Sequence, residues 1–310
     1  MWSIIEIVLP VFLIIALGYG IRRIGLADDH FFQQTNAIVF YVCLPILLFY
    51  KIGTADFGAS FNFRLVLATS LAVACCFLIA YLYGVWRKYP PPAHGAFCQG
   101  AFRGNLAYIG LAIVYNAYGD QGLTRGGILL GFLVPVLNLF AILALILPRQ
   151  QQRTDFAEIC KQILFNPLNL ASLAGLLWSF FGLPMPTIMD RTLSIAAGMT
   201  LPLALLSIGN SFSLENLRGD LAKAGLAMAF KLLLLPLITI GFMVLFRVTG
   251  LDFAIGLLMA GAPTAVATYI MASKMGGDGE LAGTIVVLAT AMSAFSYSVL
   301  LFYLQNYCTF

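Results

Sequence analysis

The chain has 310 residues, 61% hydrophobic and 10% charged, with a mean hydropathy of +0.94 and a formal net charge of +4. A soluble domain carries about 25% charged residues, and a fold of this length in water cannot hide so much apolar surface, so its solvent is lipid. That excludes a cytosolic enzyme, a secreted disulfide scaffold and a disordered regulator, and the 17 Lys and Arg, scattered between apolar runs, are no nucleic-acid footprint.

A helix needs about 20 mainly apolar residues to cross the hydrocarbon core. Ten runs meet that need, five near 4–21, 36–52, 64–86, 95–117 and 122–147 and five near 163–181, 192–210, 220–247, 252–274 and 281–304. The run Ile4–Ile21 lacks a basic n-region and a small-residue cleavage site and contains Pro10, so it reads as a retained first helix. The longest polar interruption, Pro148–Lys161, divides the chain almost in half and reads as a cytoplasmic linker. Arg22, Arg23, Arg87, Lys88, Arg149, Arg153, Lys161, Arg218, Lys223 and Lys274 fall on one side of this array. Lys51, Arg64, Arg125, Arg191 and Arg247 fall on the other, so the positive-inside rule places both termini outside. Short loops and a compact chain fit a bacterial inner membrane. Cys43, Cys75, Cys76, Cys98, Cys160 and Cys308 show no CxxC spacing and read as small apolar groups. His30 and His94 have no ligand partner nearby, so no metal site and no cofactor is expected.

The halves match at a nearly fixed offset. A shift of 157 superposes Pro10 on Pro167, Gly18 on Gly175, Gly25-Leu26 on Gly182-Leu183 and Leu44-Pro45 on Leu201-Pro202. One further residue of slip brings Gly119-Asp120 onto Gly277-Asp278. Five spans per half is an odd number, so the second half inserts upside down. The expected fold is an all-α membrane protein of ten transmembrane helices, built as inverted five-helix repeats over 1–147 and 162–310. Inverted repeats are a mark of secondary transporters, whose sites lie where corresponding helices are broken near the midplane.

The fourth and ninth spans supply such a pair. Arg103-Gly104-Asn105 stands opposite Gly261-Ala262-Pro263 under an offset of 158, and Gly and Pro permit unwinding there. Gly and Pro are also common in intact transmembrane helices; the matching positions favour crossing broken helices, with Gly110 and Gly261 at the breaks. Half-helix N-termini meeting at one point suit an anion. Arg103 and Lys231 are the two basic residues well inside apolar runs, and the 13 acidic residues lie in loops or near span ends. Buried charge usually faces a cavity. Arg103 therefore either meets a substrate carboxylate or pairs with Asp120 or snorkels, and Lys231 either joins the site or caps carbonyls near Pro236. Asn105, Tyr108, Thr264 and Thr268 could add polar contacts, and Pro45 and Pro202 are candidate hinges. A coupling ion, sodium or proton, could use Asn116 or the span-end acids Asp120 and Asp278.

Arg103-Gly104-Asn105 with Gly110 and Tyr118-Gly119-Asp120 resembles the fourth-span signature of the auxin efflux carrier family. Lys231 to Pro236, Gly261-Ala262-Pro263 and Ala272-Ser273 are similar to its second half. The family includes the plant PIN exporters and bacterial relatives and is distantly similar to bile-acid/sodium symporters. The resemblance implies a scaffold domain, a transport domain moving as an elevator, small organic anions as substrates and a homodimer. Many members place proline after the fourth-span glycine, whereas Leu111 follows Gly110 here. The function expected is secondary transport of a small organic anion, a carboxylate. The rival readings are a sodium-coupled symporter of a larger amphipathic anion and a non-transporting membrane sensor. No HExxH, P-loop or nucleophile–base arrangement points to an enzyme.

Overall fold

The computed structural model describes residues 2–149, 165–210 and 219–307. Most of the expected linker over 148–161 lies outside the described residues, as do Cys160, Cys308, Arg153, Lys161 and Arg218. Lipid offers no partner for a peptide group, so a chain of this composition must satisfy its backbone within helices. The first half folds as α1 (Trp2–Arg23), α2 (Asp29–Gly53), α3 (Phe63–Trp86), α4 (Pro91–Phe102) and α5 (Leu106–Arg149). The second gives α6 (Pro167–Phe180), α7 (Thr187–Gly209), α8 (Leu221–Leu245), α9 (Gly250–Ala260), α10 (Val266–Lys274) and α11 (Gly279–Tyr307).

Among the described residues, seven helices are long and apolar enough to cross a membrane: α1, α2, α3, α5, α7, α8 and α11. Helices α6 and α9 are shorter apolar helices. At 12 and 9 residues, α4 and α10 reach roughly 18 and 14 Å, about half the hydrocarbon core. The opposite problem arises in α5, whose 44 residues would run roughly 66 Å if straight. It folds back at Gly119, with φ 58° and ψ −149°, so that Gly126 packs against Leu111. The gap expected between the fourth and fifth runs is thus one kinked residue rather than a loop.

Side-chain caps fix several helix starts. Asp28 Oδ1 accepts from Phe31 N at 2.8 Å, Asn62 Oδ1 from Arg64 N at 3.0 Å and Asn166 Oδ1 from Leu168 N at 2.9 Å. Asp220 caps α8 and is bonded by Lys223, which holds its carboxyl below the usual range. Prolines set irregular turns within the spans. A ring at position i removes an N–H and crowds the carbonyl at i−4, and a wide π turn relieves the conflict. Val39–Cys43 is such a turn before Pro45, and Phe230–Leu234 before Pro236. Ahead of Pro202, α7 is interrupted at Met199. Pro45 and Pro202, the expected hinges, therefore both follow local departures from the α-helix.

The helices pack in two groups. α1 lies against α7, and the C-terminal half of α2 against α6 and α7. In the other group α3 packs on α4, α5 and α8, α9 on α5, and α11 on α8 and α10. Two large cavities lie between these groups.

Candidate functional site

The crossing is built from two chain breaks that satisfy each other. α4 stops at Phe102 and α9 at Ala260, and neither chain resumes a helix until Leu106 and Val266. Breaking a helix within a buried apolar bundle frees peptide groups that must find partners. Here Asn105 N donates to Pro263 O at 2.7 Å and Ala265 N to Arg103 O at 2.9 Å. Gly104 and Thr264 thereby form an antiparallel bridge. Thr264 Oγ1 adds a bond to Gly100 O at 2.8 Å. Asn105 and Pro263, read from the sequence as equivalent positions, are thus bonded partners, and the helices that follow begin 160 positions apart, at Leu106 and Val266. The offset returns to 157 at Gly119 and Gly276, both with positive φ. A π turn over Leu106–Gly110 lies in the longer arm.

A cavity of about 440 Å³ lies against this bridge. It receives the first residues of both restarting helices, Leu106 to Tyr108 and Val266 to Ala267, so two helix N-termini edge one space. Arg103 is half-buried on its wall. Its Nη2 donates to Asn138 Oδ1 at 3.0 Å and its Nη1 lies on Met271 Sδ. Neither partner is anionic, and no carboxylate among the described residues forms an ion pair with it. Tyr108 donates its hydroxyl to Asn36 Oδ1 at 2.5 Å, tying α5 to α2. Gln33, Tyr41 and Asn166 complete the polar lining.

The expected residues are spread over several places. Arg103, Gly104, Asn105 and Tyr108 line the cavity, while Pro263 and Thr264 hold the bridge behind them. Thr268 is fully buried, and its hydroxyl has no partner among the described residues. Gly261 caps α9 at its break, near Leu300, whereas Gly110 is not at a break: it is helical, five residues beyond Asn105 where the π turn passes into the α-helix, and packs near Met259. Lys231 lies on the far side of Gly104. Its ammonium, fully buried, donates to Ala260 O at 2.7 Å, and with Gly104, Thr69 and Thr239 it edges a small void of about 20 Å³. It caps the negative end of α9, rather than carbonyls beside Pro236. Gly104 lies between it and the large cavity, together with Leu106 and Leu137, and a Cβ at Gly104 would stand 3.3 Å from Lys231 Nζ.

Asn116 and Asp120 stand elsewhere, on the second cavity, and Asp278 caps α11 by accepting from Leu281 N at 2.9 Å. Asp120 pairs with Lys51, not with Arg103. The three residues expected to hold an ion are therefore not brought together, and no cluster of metal-ligating side chains occurs among the described residues. Sequence reading missed Gln33, Asn36, Asn166 and Met271, and treated Asn138 as packing. The signal for α2 was present, because Gln33 and Asn36 share a face at an i, i+3 spacing.

A family model described as a membrane transport protein matches residues 3–301. The chain belongs to this auxin efflux carrier-like family. An "Uncharacterized transporter" of Methanothermobacter thermautotrophicus is 25% identical over 94% of this chain and 95% of its own length. A Rhizobium meliloti protein named "Putative malonate transporter" is 22% identical over 99% of this chain and 97% of its own. "Auxin efflux carrier component 2" of Arabidopsis thaliana is 25% identical over 45% of this chain and 24% of its own. The family and these relatives are transporters, not enzymes. The chain is a multi-pass membrane transporter.

Proposed function

We propose that the chain is a secondary transporter of small organic anions, carboxylates above all, and that the cavity at the crossing is the substrate site. The observation that carries this reading is the convergence of Arg103, without a carboxylate partner, and two helix N-termini on one cavity. A planar guanidinium and exposed N–H ends are complementary to a carboxylate. The malonate named for the Rhizobium relative is such an anion.

In this reading the chain crosses the membrane ten times. α4 with the first limb of α5 makes one crossing, the second limb another, and α9 with α10 a third. The repeats over 1–147 and 162–310 are inverted. In support, α1 starts at the end of the bundle where α6 finishes: Asn116 Nδ2 bonds Ile7 O at 3.1 Å, Lys51 pairs with Asp120, and Ser179 Oγ bonds Ala55 O at 2.6 Å. The group containing α3–α5 and α8–α11 then moves as an elevator against α1, α2, α6 and α7. Both termini lie outside a bacterial inner membrane, with Arg22 and Arg149 on the cytoplasmic side.

The test is thermal stability of the purified protein against malonate and other small carboxylates. A ligand at ~100 times its Kd should stabilise by roughly 2.7 kcal/mol. A charged hydrogen bond contributes about 1.5–3 kcal/mol, so Arg103→Gln should weaken the response at least tenfold. An unchanged response in that variant would refute the assignment.

A further inference from the structure

The second cavity, about 400 Å³, belongs to no element of the crossing bridge, yet it lies on the same two helices as the first. On α2 the first cavity is lined by Leu44 and the second by Leu47 and Lys51. Positions i, i+3 and i+7 share one helix face. On α5 the first cavity is lined by Tyr108 and the second by Ala112, Tyr115, Asn116 and Asp120. One helical turn on each helix is thus the septum between the two spaces. Both also lie on the seam between the two helix groups, where relative movement would join them. Polar contacts close this seam at three heights: Tyr108 to Asn36, Asn116 to Ile7 and Lys51 to Asp120.

The Lys51–Asp120 pair is unequal. The Lys51 side chain is 19% exposed and the Asp120 side chain 75%. Lysine is the group fixed in the cavity wall, while the carboxylate reaches in from the Gly119 kink and stays largely in water. An exposed ion pair contributes ~1 kcal/mol or less, so a competing carboxylate can displace Asp120 at little cost. Tyr115 and Asn116 line the same cavity as the lysine.

We propose that this second cavity is an anion station in series with the crossing site, in which Lys51 receives the substrate carboxylate and Asp120 occupies Lys51 when the station is empty. The proposal rests on the transport reading above. It gives the anion a cation at each end of the seam and a built-in carboxylate that favours release.

The two halves of the pair make opposite predictions. Ser194 is exposed and lines the cavity, so a Ser194→Cys protein with Cys160 and Cys308 changed to Ser reports occupancy through malonate protection from an impermeant maleimide. In that protein Asp120→Asn frees Lys51 and should lower the half-protecting malonate concentration about threefold, the scale of an exposed pair. Lys51→Met should raise it at least threefold, and Lys51→Arg should preserve protection and show that the site tolerates substitution. If Asp120→Asn and Lys51→Met move protection in the same direction, the pair is only a brace and the proposal is overturned. Absence of malonate protection in the Ser194→Cys protein overturns it too. The Arg103→Gln stability test separates that outcome from failure of the crossing site, because the part of the malonate stabilisation lost in that variant reports the crossing.

Discussion

Gly119 offers a perturbation whose cost follows from one torsion pair. At φ 58° and ψ −149° it occupies backbone space that essentially only glycine enters, and a Cβ there would meet no atom within 4 Å. Gly119→Ala therefore adds strain without a clash, and forcing a non-glycine residue into such a region costs about 1–3 kcal/mol. Relief by rotation is blocked, because the limbs on either side are packed together where Gly126 meets Leu111. It would also swing Asp120 away from Lys51. Thermal unfolding of the purified variant should show a midpoint lower by a few degrees, since 1 kcal/mol corresponds to about 2–4 °C in chains of 150–250 residues. Gly225→Ala is the matched control: it lies inside α8, its Cβ would likewise meet nothing, and its φ is not positive. That change should be neutral or stabilising by about 0.5–1 kcal/mol. Equal midpoints for the two variants would mean that the kink is not held in this torsion, and the folding back of α5 would need another cause.

Two further outcomes separate roles at the crossing and beyond it. Lys231→Met removes the donor to the Ala260 carbonyl, so the variant should unfold at lower temperature, yet its half-saturating malonate concentration should change less than that of Arg103→Gln, because Lys231 stands behind Gly104; an equal loss of binding would place Lys231 in the substrate's first contacts. Asp278→Ala deletes the α11 cap at a cost of about 1 kcal/mol and should lower the unfolding midpoint while leaving malonate affinity unchanged, and a change in affinity would return Asp278 to the binding machinery.

Much of the helical layout was legible because hydropathy records the length of each long apolar helix. The third run, expected at 64–86, is the helix Phe63–Trp86, and the eighth, expected at 220–247, is Leu221–Leu245. The fourth begins earlier than hydropathy marks it, at Pro91 rather than 95, because a proline at the first turn costs no hydrogen bond while its polar neighbours look like loop. The breaks were legible as Gly and Pro at matching depths, and Arg103 as a charge without an acid at its depth. What composition could not give was direction. Lys231 and Arg103 look alike in the sequence, but the lysine, within the π turn at Phe230–Leu234, lies against Gly104 and the Ala260 carbonyl while the arginine at the end of α4 lines the cavity. Asp120 likewise required tertiary information, since its partner is 69 positions away on α2.

The crossing also explains why a single broken span is a weak signal and a pair a strong one. Arg103 and Asn105 leave one carbonyl and one N–H free, and each finds its partner in the other break, at Ala265 and Pro263. Either break alone would leave buried peptide groups unpaired, at about 1–3 kcal/mol each. The two breaks therefore stabilise one another and must be kept together. The antiparallel bridge at Gly104 and Thr264 also brings the first residues of both restarting helices to one cavity. The stopping ends, α4 at Phe102 and α9 at Ala260, lie behind it, the latter under the ammonium of Lys231. The positive end of each broken helix is thus spent on the cavity and one negative end is neutralised out of its sight. In the transport reading proposed above, that separation gives the cavity, whose described lining carries Arg103 and no acidic residue, a fixed field suited to an anion.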